Sequence, residues 1–92
     1  MITAIVLVSA ATDAIPETAQ AIADIDGVAE VYSCAGDIDL VAILRVADHE
    51  DLARIVPGRI SKLPGVLDTA THIAYRSFSR REVDAAFDLG ED

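Results

Sequence analysis

The chain has no tryptophan and only four aromatic residues, two tyrosines and two phenylalanines. Alanine, valine, isoleucine and leucine must therefore fill whatever core it forms. Its one cysteine, Cys34, excludes an intrachain disulfide. Cations are scarce: seven Lys and Arg stand against sixteen Asp and Glu, for a net charge of −9. Nucleic-acid binding draws on Lys and Arg that displace counterions from phosphates, so this balance argues against autonomous DNA binding. The acidity reads as solubility, or as an acidic face that docks a basic partner. The five glycines are scattered as caps and turns, and no Gly-rich phosphate loop exists. Long hydrophobic runs are missing too. The opening Met1–Val8 has no basic flank and is too short to cross a bilayer, which makes the cytoplasm the default and a membrane partner unexpected. Neither an internal repeat nor a low-complexity segment is present.

What remains is apolar and aliphatic. Hydrophobic residues make up 52% of the 92 positions, a high share for a small monomer. A chain of this length forms one domain and hides roughly two thirds of its unfolded surface. The surplus implies apolar surface buried against another chain.

The stretch Val31–Val46 organises the rest. Two apolar, β-branched runs flank Gly36-Asp37, a hairpin signal. In the second run Ile38, Leu40, Ala42, Leu44 and Val46 share one face, and Val41 and Ile43 the other. A strand apolar on both faces is covered on both. The first run is mixed, with Glu30, Tyr32 and Ser33, and suits an edge. Ile2–Ser9 is likewise doubly apolar and should be central. Thr12-Asp13 offers a helix cap and Pro16 suits a first turn. Ile15, Ala19, Ile22 and Ala23 follow helical spacing, Gln20 and Asp24 point to solvent, and Gly27 supplies a stop as the residue after the C-cap. Asp48 is the expected N-cap of a second helix buried through Leu52, Ile55, Val56 and Ile60. Pro57 lacks the amide that would bond back to Ala53, so the helix should kink there, or end at Val56 and restart. Leu63-Pro64-Gly65 is a turn, and Val66–Phe78 a final, more polar edge strand. Val83, Ala86 and Phe87 mark a short C-terminal helix between Arg80 and Leu89, docked on its own or a neighbouring subunit, before a frayed end.

This order, βαββαβ, is that of an α+β ferredoxin-like sandwich: a four-stranded antiparallel sheet, order 4-1-3-2, with two helices on one face. The two central strands of that order are the two doubly apolar ones. Their second face lacks a cover, and a second copy of the chain supplies it economically.

Few residues suggest catalysis. Cys34, His49 and His72 lack metal-ligand spacing, and the serines lie in no nucleophile-elbow context. Cys34 reads as a small buried hydrophobe, His49 as solvated in a helix's first turn, and His72 as a structural histidine. Arg80-Arg81 reads as a solvated or locally paired dipeptide. Gly36, Asp37 and Asp39 read equally well as turn formers and as ligand contacts; Thr69 and Thr71 are ordinary strand residues.

Two motifs carry a resemblance. Val28-Ala29-Glu30-Val31-Tyr32 leads into Gly36-Asp37-Ile38-Asp39-Leu40, and Leu63-Pro64-Gly65-Val66 leads to Thr69 and Thr71. The chain from Met1 to about Phe78 resembles the effector-binding (RAM) domain of the leucine-responsive regulator/AsnC (Lrp/AsnC) family, with its Gly-x-(aromatic or aliphatic)-Asp turn and its Leu-Pro-Gly-Val-x-x-Thr-x-Thr segment. The resemblance implies a ligand-binding domain over residues 1–78 followed by a C-terminal helix and tail over 79–92. It implies an amino-acid effector held between subunits by Gly36, Asp37, Asp39, Thr69 and Thr71, without a cofactor or metal. It implies a homo-oligomer, a dimer or an assembly of dimers. Family regulators also carry an N-terminal helix-turn-helix domain, and this chain starts at the first strand of the effector domain, so it reads as a stand-alone version.

The leading expectation is thus a non-catalytic regulatory module that binds an amino acid or related metabolite and modulates a full-length family regulator. Two alternatives stand beside it: a small dimeric α+β barrel enzyme, of the cofactor-free oxygenase kind, and an assembly-only structural partner. A mobility-shift assay at low salt, where non-specific binding is strongest, should show no complex between this chain and duplex DNA; a clear shift contradicts the charge argument.

Overall fold

The computed structural model describes residues 1–80. Its elements are β1 (Ile2–Ala10), α1 (Ile15–Ala23), β2 (Val28–Ser33), β3 (Leu40–Val46), α2 (His49–Ile55) and β4 (Val66–Ile73), with 3-10 turns at Thr12–Ala14 and Ile60–Lys62. The sheet is antiparallel in the order β2-β3-β1-β4, as expected, and the doubly apolar β1 and β3 occupy its centre.

Alternation along the strands divides the sheet into two faces. Ala4, Val6, Val8 and Ala10 of β1 and Leu40, Ala42, Leu44 and Val46 of β3 are buried on the helix side. Ile22 and Ile25 reach them from α1 and its C-terminal turn, and Leu52, Ile55, Val56 and Ile60 from α2 and the 3-10 turn after it. Each such aliphatic side chain contributes about 1.5–3 kcal/mol on burial. On the other face, register places Thr3, Ile5 and Leu7 of β1 beside Arg45, Ile43 and Val41 of β3, and Ile5 and Leu7 beside His72 and Ala70 of β4. Ile5, Leu7, Val41 and Ile43 are only half-buried, and the buried core cluster lies wholly on the helix side.

Local chemistry sets the helix ends. Asp48 and Asp51 form a reciprocal capping box: Asp48 Oδ1 accepts from the Asp51 amide at 3.2 Å and Asp51 Oδ2 from the Asp48 amide at 3.3 Å. Arg54 adds a 2.7 Å ion pair to Asp51. The helix closes at Ile55 with Val56 as C-cap, ahead of Pro57, and the chain continues through hydrogen-bonded turns, Arg59 donating to Ile55 and Ser61 to Val56, into the 3-10 turn at Ile60–Lys62. An end rather than a kink is therefore the outcome.

Several details depart from the sequence reading. Thr12-Asp13 does not cap α1; it forms a 3-10 turn, and Ala14 is an N-cap without a side-chain hydrogen bond. Gly27 does not follow the C-cap, which is Asp24. It stands three residues later at φ +100°, where its carbonyl accepts from Arg45 at the base of the hairpin. Ala23 is exposed; Ile15 and Ala19 are half-buried against the core, and Thr18, Ile22 and Ile25 are the buried residues of this face. β4 stops at Ile73 rather than Phe78, because β1 has run out: Ala74 donates to Thr3, and Tyr75 and Phe78 beyond it are exposed. The predicted C-terminal helix lies outside the described residues.

The cap makes a stability prediction. Asp48→Ala should cost about 1 kcal/mol in a urea melt. The Arg54 guanidinium, helped by the Asp48 amide, holds the Asp51 carboxyl below its ordinary value of 3.8. A depressed carboxyl stabilises the fold above the unfolded-state value and loses that contribution as pH falls through the folded one. Melts should therefore show an acid-side loss below about pH 4 that shrinks in Asp51→Asn; equal pH profiles would count against the cap.

Candidate ligand-binding site

One end of the sheet gathers both motif segments. β1 ends there at Ala10, the 34–39 loop joins β2 to β3 there, and β4 starts there after the Leu63-Pro64-Gly65 turn. Two consecutive β1-side amides hold the segments. The Ala10 amide donates to Asp39 Oδ2 at 2.8 Å, and the Ala11 amide to the Gly65 carbonyl at 2.8 Å. Asp39 also donates its own amide to the Val8 carbonyl at 3.2 Å and accepts from the Cys34 amide at 2.9 Å. The loop is thus pinned at its base, and among the described residues its tip makes no hydrogen bond.

Gly36 lies at that tip with φ +120°, and among the described residues a side chain there would meet nothing within 4 Å. The position favours glycine for its backbone, and leaves the tip open to an incoming group. Asp37 is exposed and its side chain makes no hydrogen bond among the described residues, whereas Asp39 is half-buried. Thr69 and Thr71 lie across β1 from the loop, opposite Val8 and Val6. That register puts both hydroxyl-bearing residues on the helix side of an edge strand, Thr69 half-buried and Thr71 exposed. So the structure groups Gly36, Asp37 and Asp39 in one loop and sets Thr69 and Thr71 two strands away. Among the described residues, no side-chain hydrogen bond joins the two groups.

Cys34 is exposed at the end of edge strand β2 rather than buried, because the chain leaves the sheet at that point. His49 and His72 are exposed. Among the described residues, no group of three or more His, Cys, Asp or Glu side chains could hold a metal ion, and no helix is long and apolar enough to cross a membrane.

One feature escaped sequence reasoning. Thr18 is the buried polar residue of α1, at 5% exposure, and it packs against Gly65 so closely that a Cβ on the glycine would overlap its hydroxyl. Beside this contact runs an open, mostly apolar groove of about 280 Å³ between Ala14, Glu17 and Ala21 of the α1 side and Leu63-Pro64. The signal was the 15-18-22-25 spacing, in which Thr18 keeps helical phase with three isoleucines.

A model of the Lrp/AsnC ligand binding domain matches residues 3–84. The chain belongs to the Lrp/AsnC family. One relative, an uncharacterised HTH-type transcriptional regulator of Pyrococcus horikoshii, is 37% identical over 59 residues, or 64% of this chain and 39% of that protein. The chain thus spans well under half the length of the curated relatives it matches. Among solved structures, TTHA0845 of Thermus thermophilus aligns with a TM-score of 0.81 and 42% identity, over 87% of this chain and all of that one. The transcriptional regulator NMB0573 of Neisseria meningitidis, solved as an L-Met complex, shares the fold at a TM-score of 0.76 and 18% identity, over 86% of this chain and 53% of that one.

The Gly65 contact can be tested directly. Gly65→Ala should force Thr18 or the Leu63–Val66 turn to move and cost about 1–3 kcal/mol, read as a lower urea midpoint. The double variant Gly65→Ala/Thr18→Ala should recover part of that loss, since it clears the hydroxyl.

Proposed function

We propose that this chain is a non-catalytic cytoplasmic module that binds an amino acid or a related small metabolite between subunits, and that it modulates a full-length regulator of its family. The observation that carries this reading is the pinning of both motif loops to successive amides at one end of the sheet. The L-Met complex of the Neisseria meningitidis neighbour supports the ligand class. We take residues 1–78 as the ligand-binding unit, with 79–92 as its C-terminal extension.

A free amino acid presents a carboxylate and an ammonium a few ångströms apart, and each one buried without a partner costs several kcal/mol. Backbone N–H groups around Gly36 suit the carboxylate, because no side chain shields them. The acidic side chains of the same loop suit the ammonium, and the hydroxyls of Thr69 and Thr71 serve either group. The threonines lie across β1 from the loop, and in this reading a second chain completes the site. A ligand that touches two chains favours their association.

The second chain has a place to bind. The open face of β1 and β3 is aliphatic, and pairing it with a copy of itself removes Ile5, Leu7, Val41 and Ile43 from water. Dimers, or assemblies of dimers, follow. An enzyme of the α+β barrel kind needs a cavity between sheet and helices; Val6, Leu44, Ile22 and Ile55, all without exposed surface, fill that space here.

Light scattering at micromolar concentration should give at least twice the chain mass, and Val41→Asp should reduce it to the monomer or unfold the protein; a monomeric native chain defeats the assembly. Calorimetry with the standard amino acids should find one that binds at millimolar concentration or below, with affinity about tenfold weaker in Thr71→Val. Should none bind, the assembly-only reading replaces this one.

A further inference from the structure

We infer that Asp39 is a positioning residue whose carboxylate holds the 34–39 loop in place, and that Asp37 is the acidic side chain left to meet a ligand ammonium. This rests on the amino-acid-binding reading above and assigns different tasks to its two carboxylates.

The reason lies at the end of β1. Pairing between β1 and β3 stops at Val8 and Leu40, and the β1–β4 register shifts between Ser9 and Ala10. The Ala10 amide therefore projects beyond Leu40, the first residue of β3. A buried amide without an acceptor is costly. Asp39 answers it: its carboxylate oxygen, 2.8 Å away, stands where the next carbonyl of a longer β3 would stand. The Asp39 backbone adds bonds to Val8 and Cys34. Three bonds from one residue thus tie β1, β2 and the loop together. A carboxylate turned inward onto the β1 backbone is poorly placed for a ligand at the loop tip. Asp37, two residues nearer that tip, is exposed and unbonded among the described residues.

Asparagine at position 39 keeps an acceptor oxygen without the charge, so it separates the two roles. The experiment uses the full 92-residue chain and its Asp39→Asn, Asp39→Ala and Asp37→Asn variants. Amide exchange at Ala10 is followed by NMR, and L-methionine is the titrant in calorimetry. Ala10 should stay protected in the native chain, in Asp39→Asn and in Asp37→Asn, and exchange at least about tenfold faster in Asp39→Ala. Binding of L-methionine should survive within about twofold in Asp39→Asn and weaken at least about tenfold in Asp37→Asn. Two results overturn the assignment: unchanged Ala10 exchange in Asp39→Ala, or loss of binding in Asp39→Asn with Ala10 still protected. If the native chain takes up no L-methionine, the methionine reading of the site fails by itself, while the exchange data still decide what Asp39 holds.

Discussion

Strand β1 is apolar on both faces, and the chain's two described helices cover only one. The architecture follows from this constraint. On the helix side Ala4, Val6, Val8 and Ala10 lose contact with water completely or nearly so, and the aliphatic core assembles over them. On the other side Ile5 and Leu7, with Val41 and Ile43 of β3, remain half-exposed. Buried aliphatic surface is worth about 25 cal/mol per Å², so an uncovered strip at the sheet centre is a standing drive toward association.

The same strand sets the candidate site. β1 outlasts its partner β3, and its last amides need acceptors from elsewhere. Asp39 supplies one and the Gly65 carbonyl the next, from opposite sides. Strand pairing thereby fixes where both motif loops stand, and the loops in turn cap the strand. The Gly65–Thr18 contact ties α1 to the same corner. Sheet face and sheet end are physically continuous through β1, which couples assembly to ligand binding in the proposed mechanism.

Much of the fold was legible because its signals were local and redundant. Double-sided apolar patterning marked β1 and β3 as central, Gly36-Asp37 marked the hairpin, and Asp48 marked the start of α2. What sequence missed depended on partners distant in the chain. Thr12-Asp13 has the composition of a cap, but the chain leaving β1 enters a 3-10 turn first. β4 reads as extended through Phe78, yet a strand lasts only as long as its neighbour, and β1 begins at Ile2. Cys34 reads as buried, but β2 is an edge strand that ends beside it. At the site, residue types gave Gly36, Asp37, Asp39, Thr69 and Thr71 as candidates. They could not separate an aspartate bonded to the β1 backbone from one facing solvent, because that difference arises where β1 runs on past its pairing with β3.

The central claim is that an amino acid binds at the loop tip and at β4 of an assembled chain. Backbone amide shifts followed by NMR during titration with L-methionine and L-leucine test it most directly. The account predicts saturable changes at Gly36–Asp39 and Thr69–Thr71 together, with no comparable change along α2. Changes confined to the α1 groove around Thr18 and Leu63, or none up to millimolar ligand, would contradict it.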